Sequence, residues 1–490
     1  MYAFEVPRRF RIPLHLLLCL VPLLGGCALV PSNNPGGSDG QVLSAFVVIG
    51  ENGAAQARAI VQASKATDAA TPLERGCPIL TIDGSSRRMS VRVAPGTMAQ
   101  RPTASDTANS KPSMFPVLVC ESPLPTSATR AAIGDISLSL PRANPQRIIV
   151  IGDTGCRMKK ADNAWQACVD MEAWPLAAIA DAAAAFAPDL VIHVGDFHYR
   201  ENACPDDMSG CRNSPWGYGW DTWQADFFAP AAKLLAAAPW VVVRGNHEEC
   251  RRAGQGWFRF LDVRTFEDAR SCNDAKNDSI GNFTPPYSVP LSPDMQLIVF
   301  DSAVAGFAPL DPAKPRDAQT FAQYQRQFME VDAIAAKPGV RSIFVNHHPI
   351  LGYSADEKRG VRGGNAGLLS VMNLLHPQAY YPSSVTLALH GHVHLFEAMN
   401  FSSNHPATIV SGIGGDELSL RLPEPFPMQT PPADGVVLES ITHGDQFGFV
   451  VMEKQSANWQ ITAHDHRGKR NASCVLTGPK LSCNKTGLLK

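Results

Sequence analysis

Five apolar runs of the sequence end just before side chains of the kinds that bind metal ions. RIIVIG is followed by Asp153, DLVIHVG by Asp196, WVVVRG by Asn246, RSIFVN by His347, and VTLALHG by His392 and His394. Tyr199 comes three residues after Asp196. A single polar residue after a strand commonly caps a helix or closes a loop. Five such strand ends in order, carrying only Asp, Asn, His and Tyr, indicate one shared metal site.

The apolar runs themselves predict how these side chains meet. From residue 147 onward, β-branched runs alternate with Ala-rich segments of helical character, of which residues 171–187 and 320–337 are the clearest helices. Near-continuous apolar strands are typical of sheets that are buried on both faces. In layered α/β folds, the loops at the carboxyl ends of the strands converge on one crevice. Residues 147–466 are therefore predicted to form an α/β layered domain.

The chain on either side of this domain has a different pattern. Residues 42–143 contain short apolar runs separated by turn residues, which predicts a small all-β, sandwich-like N-terminal domain. This region has no cluster of His, Asp or Glu, so we expect it to be structural or to help shape the site. Residues 467–490 are polar and hold Cys474 and Cys483, which favours a disulfide-linked hairpin or C-terminal extension.

Length and composition set the class of protein. The chain has 490 residues, 45% of them hydrophobic and 18% charged, which is typical of a globular protein with room for two domains. The formal net charge is −2. Because nucleic-acid-binding proteins normally carry an excess of positive charge, no stable nucleic-acid partner is expected.

The first residues have the pattern of an export signal. Arg8, Arg9 and Arg11 precede a short apolar stretch, residues 14–24, which is too short to span a bilayer comfortably. The stretch ends in Leu24-Gly25-Gly26-Cys27, which resembles a bacterial lipobox. The resemblance implies that residues 1–26 are removed, that Cys27 carries the lipid, and that residues 27–41 are a flexible tether. The expected location is outside the cytoplasm, anchored to a bacterial membrane on its periplasmic or cell-surface side. An ordinary signal peptide is the alternative.

Export also changes the interpretation of the other cysteines. Without Cys19 and Cys27, ten of the 12 cysteines remain, and an even number in an oxidising compartment favours disulfides. Sequence does not determine their connectivity, but neighbours along the chain suggest the pairs Cys77/Cys120, Cys156/Cys168, Cys204/Cys211, Cys250/Cys272 and Cys474/Cys483.

The polar motifs together resemble a known superfamily. They are Gly152-Asp153-Thr154-Gly155, Gly195-Asp196-Phe197-His198-Tyr199, Gly245-Asn246-His247-Glu248, Val345-Asn346-His347 and Gly391-His392-Val393-His394. In this set the chain is similar to the calcineurin-like metallophosphoesterases, and within them to the purple acid phosphatases, over about residues 147–400. The resemblance implies that the catalytic domain is a four-layer αββα sandwich.

Two positions point to the purple acid phosphatases. Many metallophosphoesterases begin with Asp-x-His, whose histidine binds the first metal, but this chain has Gly155 in place of that histidine. Tyr199 stands in the Gly-Asp-x-x-Tyr spacing of the purple acid phosphatases, and a phenolate suits a trivalent ion. The resemblance therefore implies Fe(III) at the Tyr199 site. His198 is the alternative ligand from the same segment.

The resemblance also implies a ligand set for two metal ions. By motif position, Asp153, Tyr199 and His394 would bind the first metal, Asn246, His347 and His392 would bind the second, and Asp196 would bridge them. Neutral nitrogen and carbonyl-oxygen donors suit a divalent ion at the second position, either Zn, Mn or Fe. His247 and His348 lie next to ligands and are the candidate catalytic residues, either hydrogen-bonding the phosphate and protonating the leaving group or merely orienting the ligands.

The activity implied by this site is hydrolysis of small phosphate monoesters, of acid-phosphatase type, by attack of a metal-bound hydroxide. A phosphodiesterase or nucleotide hydrolase with the same site is one alternative. A surface-binding lipoprotein without activity is another. Arg244, Arg251 and Arg252 flank the third motif and are interpreted as solvated surface residues rather than phosphate contacts. Asp416 follows a glycine-rich stretch and is interpreted as marking a turn near the site.

Overall fold

A computed structural model describes residues 40–63, 73–101 and 109–489 of the chain. The predicted signal peptide, the lipobox with Cys27 and nearly all of the predicted tether lie outside the described residues. Ten strands occupy the described part of the N-terminal region: β1 (Val42–Ile49), β2 (Ala55–Gln62), β3 (Ile79–Ile82), β4 (Ser85–Arg88), β5 (Ser90–Val93), β6 (Gly96–Met98), β7 (Ser113–Phe115), β8 (Val117–Leu124), β9 (Ala131–Ile133) and β10 (Ile136–Leu138).

The rest of the described chain alternates strands and helices and then ends in strands. The further strands are β11 (Arg147–Ile151), β12 (Met158–Lys159), β13 (Ala164–Trp165), β14 (Leu190–His193), β15 (Trp240–Val242), β16 (Tyr287–Ser292), β17 (Met295–Val299), β18 (Arg341–Val345), β19 (Ser354–Asp356), β20 (Gly360–Arg362), β21 (Val385–His390), β22 (Phe396–Phe401), β23 (Ala407–Ser411), β24 (Leu438–Gly444), β25 (Gly448–Gln455), β26 (Asn458–Asp465), β27 (Arg470–Thr477), β28 (Lys480–Cys483) and β29 (Gly487–Leu488). The helices are α1 (Leu176–Ala185), α2 (Trp220–Trp223), α3 (Ala232–Ala237), α4 (Gly254–Phe260), α5 (Asp278–Gly281), α6 (Pro315–Ala335) and α7 (Ala366–Leu375).

Two large sheets form the middle of the structure. The first has the order β28-β27-β26-β25-β11-β14-β15-β1-β2-β8-β5, and the second has the order β16-β17-β18-β21-β23-β22-β24-β29. Strands β11, β14 and β15 run parallel in the first sheet, as do β17, β18, β21 and β23 in the second. Each set of parallel strands therefore has its carboxyl ends at one edge.

Alternation along these strands creates three apolar layers. Ile148 and Val150 of β11 pack in one core with Ile343 of β18 and Leu387 of β21, between the two sheets. On the outer faces, α1 and α3 cover the first sheet, and α6 and α7 cover the second. The predicted αββα order is therefore confirmed, because both faces of both sheets are apolar.

The β-rich N-terminal region precedes this sandwich as predicted, and several of its strands extend the first sheet. Strand β1 pairs parallel with β15 and antiparallel with β2. On the other face of β1, β2 and β8, the small sheet β10-β9-β3-β4 packs through Leu80 and Ile133, which gives a sandwich-like lobe. The first sheet thus runs continuously through the boundary predicted near residues 143–147, because β1 presents a parallel edge to the catalytic strands.

Helix ends and disulfides can be compared with the sequence directly. Helix α1 begins five residues later than predicted, because Pro175 stands immediately before it, and α6 begins five residues earlier, because Pro315 fits its first turn. The five suggested cysteine pairs are all disulfides. Cys474–Cys483 joins the hairpin β27–β28, as predicted for the C-terminal extension. Within the described residues, no helix is long and apolar enough to cross a membrane.

Candidate metal centre

The carboxyl ends of the parallel strands of both sheets meet at one crevice, and the residues predicted to bind metal lie there. Asp153 follows β11, Asp196 follows β14 and Asn246 follows β15 in the first sheet, while His347 follows β18 and His392 follows β21 in the second. Residues far apart in the chain are in contact, since the backbone N–H of His392 donates to both carboxylate oxygens of Asp153 at 3.1 and 3.0 Å.

The side chains form two groups of three. In the first, the Oη of Tyr199 lies 3.1 Å from Oδ1 of Asp153 and 3.1 Å from Nε2 of His394. In the second, Oδ1 of Asn246 lies 3.1 Å from Nε2 of His347 and 3.0 Å from Nδ1 of His392. Each of these two trios contains the residues that the motif positions assigned to one metal ion, and metal binding itself stays a prediction.

Asp196 joins the two groups through a single oxygen. Its Oδ2 lies 2.9 Å from Oη of Tyr199 on one side and 3.0 Å from Nε2 of His347 on the other. Its Oδ1 accepts a hydrogen bond from the backbone N–H of His247 at 2.8 Å, which fixes the carboxylate plane. The geometry is that of a carboxylate placed to bridge two ions.

Backbone conformation turns the strand ends toward the crevice. Asp153, Asp196 and His392 have φ angles of 58°, 58° and 68°, in the left-handed region that residues with a side chain seldom adopt. Such strain is concentrated at functional sites, where the surrounding structure maintains it. The acids at the bottom of the crevice are fully buried, whereas Asn246 and His392 are partly exposed, so the crevice opens to solvent on the side of the second group.

The histidine rings are oriented as metal-binding histidines are. Nδ1 of His347 lies 2.9 Å from the carbonyl oxygen of Val194, and Nδ1 of His394 lies 2.6 Å from that of Glu417. Because a carbonyl only accepts, each Nδ1 carries a proton and donates, and each Nε2 faces the crevice, where it could bind a metal ion in the neutral ring. Donor atoms of Asp196, His347 and His392 all lie within 4.8 Å of one another, a span that fits one cation.

Electrostatics also fit a cation. Burial lowers the pKa of His347, but the carboxylates of Asp196 and Asp153 outweigh it and raise that pKa to about 9. Burial opposes ionisation of Asp196 as well, yet His347 and His247 hold its pKa well below the ordinary value. Asp196 therefore stays ionised and attracts positive charge, which a proton on His347 supplies here and a metal ion would supply in its place.

Packing explains the exchange of a histidine for Gly155. A Cβ atom at Gly155 would lie 2.8 Å from the backbone nitrogen of Tyr199, 2.9 Å from Oδ2 of Asp226 and 3.0 Å from the carbonyl oxygen of Phe197. No side chain fits there, and the segment that carries Tyr199 occupies the space instead. The ring of His198, the alternative ligand, packs among Tyr218 and Trp223 rather than joining the two groups.

His247 lies beside the first group. Its ring is 3.8 Å from the ring of Tyr199, and its Nε2 is 4.0 Å from Oδ2 of Asp196. On the far side, Nδ1 is 2.5 Å from Nη2 of Arg252 and 3.0 Å from Oε1 of Glu201. Burial and Arg252 together lower the pKa of His247 to about 3, so the ring is neutral at ordinary pH. Nδ1 thus lies between a donor, the guanidinium of Arg252, and an acceptor, the carboxylate of Glu201, and Nε2 is directed toward Asp196 at the crevice.

His348 lies beside the second group. Its ring is 4.1 Å from the ring of His392, and its Nδ1 is 3.1 Å from Oγ of Ser302. Burial and the neighbouring His347 hold its pKa well below the ordinary value. The two candidate catalytic histidines therefore flank opposite ends of the crevice, each oriented by a polar partner.

Several residues of the site were missed or misread from sequence. Glu201 contacts His247, Arg252 and the hydroxyl of Tyr218, so it connects a buried network behind the first group. Arg244 and Arg252 are buried, at 1% and 5% exposure, so their interpretation as solvated surface was wrong and only Arg251 is exposed. The residues next to an arginine in the sequence do not show whether it is exposed or buried. The two cases differ in whether the fold brings a partner carboxylate to the arginine.

A second network supports His394. Asp416 is fully buried, lies 3.2 Å from Nδ1 of His394, and forms an ion pair with Arg157. The guanidinium of Arg157 in turn lies 5.0 Å from the centre of the Tyr199 ring. Asp416 does lie near the site, as expected, but it acts as a charged partner of Arg157 and His394.

Comparisons with known proteins agree with this architecture. The structure is similar to that of the purple acid phosphatase PPD1 from yellow lupin (Lupinus luteus) seeds, with a TM-score of 0.52 and 14% identity over 88% of this chain and 74% of that one. It is also similar to the structure of PhoD, with a TM-score of 0.50 and 10% identity over 93% of this chain and 94% of that one. No curated protein sequence matches the chain.

The sequence itself gives the family. The family model for calcineurin-like phosphoesterases matches residues 146–396, which is 251 of the 490 residues and spans both ligand groups. The chain belongs to the calcineurin-like phosphoesterase family, whose members hydrolyse phosphoesters at a metal site.

Proposed function

We propose that this protein hydrolyses small phosphate monoesters, as acid phosphatases do, at a centre of two metal ions. One observation supports the proposal most strongly: Oδ2 of Asp196 lies between Tyr199 and His347 at 2.9 and 3.0 Å, with a complete trio of donors on each side. Asp153, Tyr199 and His394 would hold one ion, and Asn246, His347 and His392 would hold the other.

The chain's own groups have defined tasks at this centre. Two bound cations would supply the positive charge that holds a phosphate group and lowers the pKa of water. Nε2 of His247 is directed toward Asp196 and, when it carries the ring proton, would donate a hydrogen bond to a phosphate oxygen. His348, on the side that is open to solvent, is the group placed to meet the departing part of the substrate.

The central test is Asp196→Asn, which keeps the shape of the side chain and removes its charge. We expect loss of bound metal and of phosphatase activity, with the same circular dichroism spectrum as the unmodified protein. Asp181→Asn is the matched control. Asp181 lies on the surface of α1, where its only ion pair among the described residues is a half-exposed one with Lys233 of α3. Full activity in Asp196→Asn would refute the assignment of this site. No activity in the unmodified protein with its metals would overturn the phosphatase proposal and favour a surface-binding role.

Substrate type is tested with an aryl phosphate and a bis-aryl phosphate. We expect a higher kcat/KM for the monoester, since its phosphate group carries one more negative charge than that of a diester and therefore binds two cations more strongly. A clear preference for the diester would instead assign the protein as a phosphodiesterase with the same site.

We further propose Fe(III) at the Tyr199 position and a divalent Zn, Mn or Fe ion at the second. A phenol oxygen placed among two carboxylates and an imidazole is a hard donor set that suits a trivalent ion. Tyrosinate bound to Fe(III) should give a visible absorption band that Tyr199→Phe abolishes, and metal analysis should find iron. A colourless, fully active protein with only divalent metals would refute the iron assignment.

The location of the protein is proposed from the sequence alone. The lipobox resemblance supports removal of residues 1–26 and lipidation of Cys27. Mass spectrometry of the N-terminal peptide from membranes should find a lipid on Cys27, and Cys27→Ser should release the protein into the soluble fraction. An unmodified cysteine in membrane-free protein would favour the ordinary signal peptide.

A further inference from the structure

A groove leads away from the second ligand group. It has a volume of about 600 Å³, and its lining includes His392 at one end together with Phe307, Tyr353, Arg359, Arg362 and Asp434. His392 is shared between the groove and the metal centre. A phosphate held at the centre would therefore direct the rest of its molecule into this space.

Phe307 presents an unusually exposed ring at the start of the groove. The side chain is 74% exposed, the highest exposure among the large apolar residues of the described chain. Its ring centre lies 5.6 Å from that of His392. Exposing an aromatic ring to water is unfavourable, so a ring in this position is explained when it stacks on a flat group of a ligand.

Two arginines supply positive charge farther along the groove. Arg359 and Arg362 belong to the hairpin β19–β20, and Arg362 pairs with Asp356 at 3.2 Å, where both side chains are about one-third exposed. The lining contains two arginines and one acidic residue, Asp434. Guanidinium groups bind phosphate with paired hydrogen bonds, so this hairpin is suited to a second anionic group.

The wall behind the arginines is already formed. The N–H of Gly364 donates to the carbonyl of Pro432 at 2.9 Å, and Tyr353 donates its hydroxyl to the carbonyl of Thr430 at 2.8 Å. A Cβ atom at Gly363 would lie 2.4 Å from the carbonyl oxygen of Pro432, so the two segments approach as closely as their backbones permit. Little rearrangement is needed for a ligand to bind.

We propose that this groove binds the leaving group of the substrate, and that the preferred substrates are nucleotides that carry a second phosphate. The phosphate to be removed would lie at the metal centre, the base would stack on Phe307, and the second phosphate would contact Arg359 and Arg362. This inference rests on the proposed phosphatase activity, because it extends the same site.

The experiment compares three substrates: glycerol phosphate, a nucleoside 5′-monophosphate and a nucleoside 3′,5′-bisphosphate. We expect Phe307→Ala to raise KM for both nucleotides by about tenfold, as for the loss of one stacking contact, and to leave glycerol phosphate unchanged. The double variant Arg359→Gln/Arg362→Gln should lower kcat/KM for the bisphosphate by about tenfold relative to the monophosphate. Lys358→Gln is the matched control, since it changes the charge of the same hairpin outside the groove lining.

The outcomes separate the two proposals. If the unmodified protein hydrolyses glycerol phosphate and the groove variants change no nucleotide preference, the groove assignment is wrong and the phosphatase proposal stands. If the unmodified protein hydrolyses none of the three, the phosphatase proposal fails. Calorimetry then measures binding of the bisphosphate to the metal-loaded protein. Weaker binding by the groove variants than by the unmodified protein supports the groove assignment, and equal or absent binding refutes it.

Discussion

Replacing Gly155 by alanine tests why a tyrosine, rather than the histidine of an Asp-x-His motif, faces Asp153. The added methyl group would lie 2.8 Å from the backbone nitrogen of Tyr199 and 2.9 Å from Oδ2 of Asp226. Asp226 cannot move aside, because it is buried, forms an ion pair with Arg200 at 2.6 Å and accepts the N–H of Tyr199 at 2.7 Å. The Tyr199 segment must shift instead.

The size of the shift sets the expected effect. Restoring a contact of about 3.4 Å requires a displacement of about 0.6 Å at the Tyr199 backbone. Overpacking of this kind costs about 1–3 kcal/mol of unfolding free energy. Since a displacement of about 1 Å at a reacting group reduces rates about 100-fold, we expect a tenfold or greater loss of kcat.

Urea unfolding and steady-state kinetics on an aryl phosphate measure the two effects. Gly306→Ala is the matched control, because a Cβ atom there meets no atom within 4 Å. Gly155→Ala should be less stable and less active than Gly306→Ala, and metal analysis should show weaker retention of the ion at Tyr199. Equal stability and activity of the two variants would refute the packing argument.

Two further predictions concern buried carboxylates. Glu201→Gln should lower kcat about 10- to 100-fold, because it weakens the contacts that orient His247 and Arg252. Tyr218→Phe removes another contact of the same carboxylate and should leave kcat nearly unchanged. Equal losses in both variants would contradict a positioning role for Glu201. Burial raises the pKa of Glu397 to about 8, so its protonated form is favoured by folding, and stability should fall as pH rises from about 5 to 8. The difference from the ordinary 4.5, at about 1.4 kcal/mol per pKa unit, sets an upper limit of about 5 kcal/mol. Thermal unfolding of Glu397→Gln should lack this decline, and an identical pH profile would refute it.

The sequence by itself determined the local structure and the chemistry of the site. Apolar runs located the parallel strands that precede the predicted ligands, and the resemblance to the metallophosphoesterases implied the αββα order. The types of residue after each strand indicated a metal centre. Pairing each cysteine with its neighbour in the sequence gave the correct disulfides, because hairpins and loops bring residues at short separations together, as in Cys474–Cys483.

Only the tertiary structure decided how residues from different strands combine. Asp153 and His392 are separated by 239 positions and carry no local signal that they will touch, because contact depends on strand order within two sheets and on how those sheets pack. The same applies to Arg252 and Glu201, whose burial depends on partners from other loops. Sequence patterns report on neighbours along the chain. Contacts between residues distant in sequence produce the buried charge networks, the position of Asp196 between the two trios and the groove beside His392.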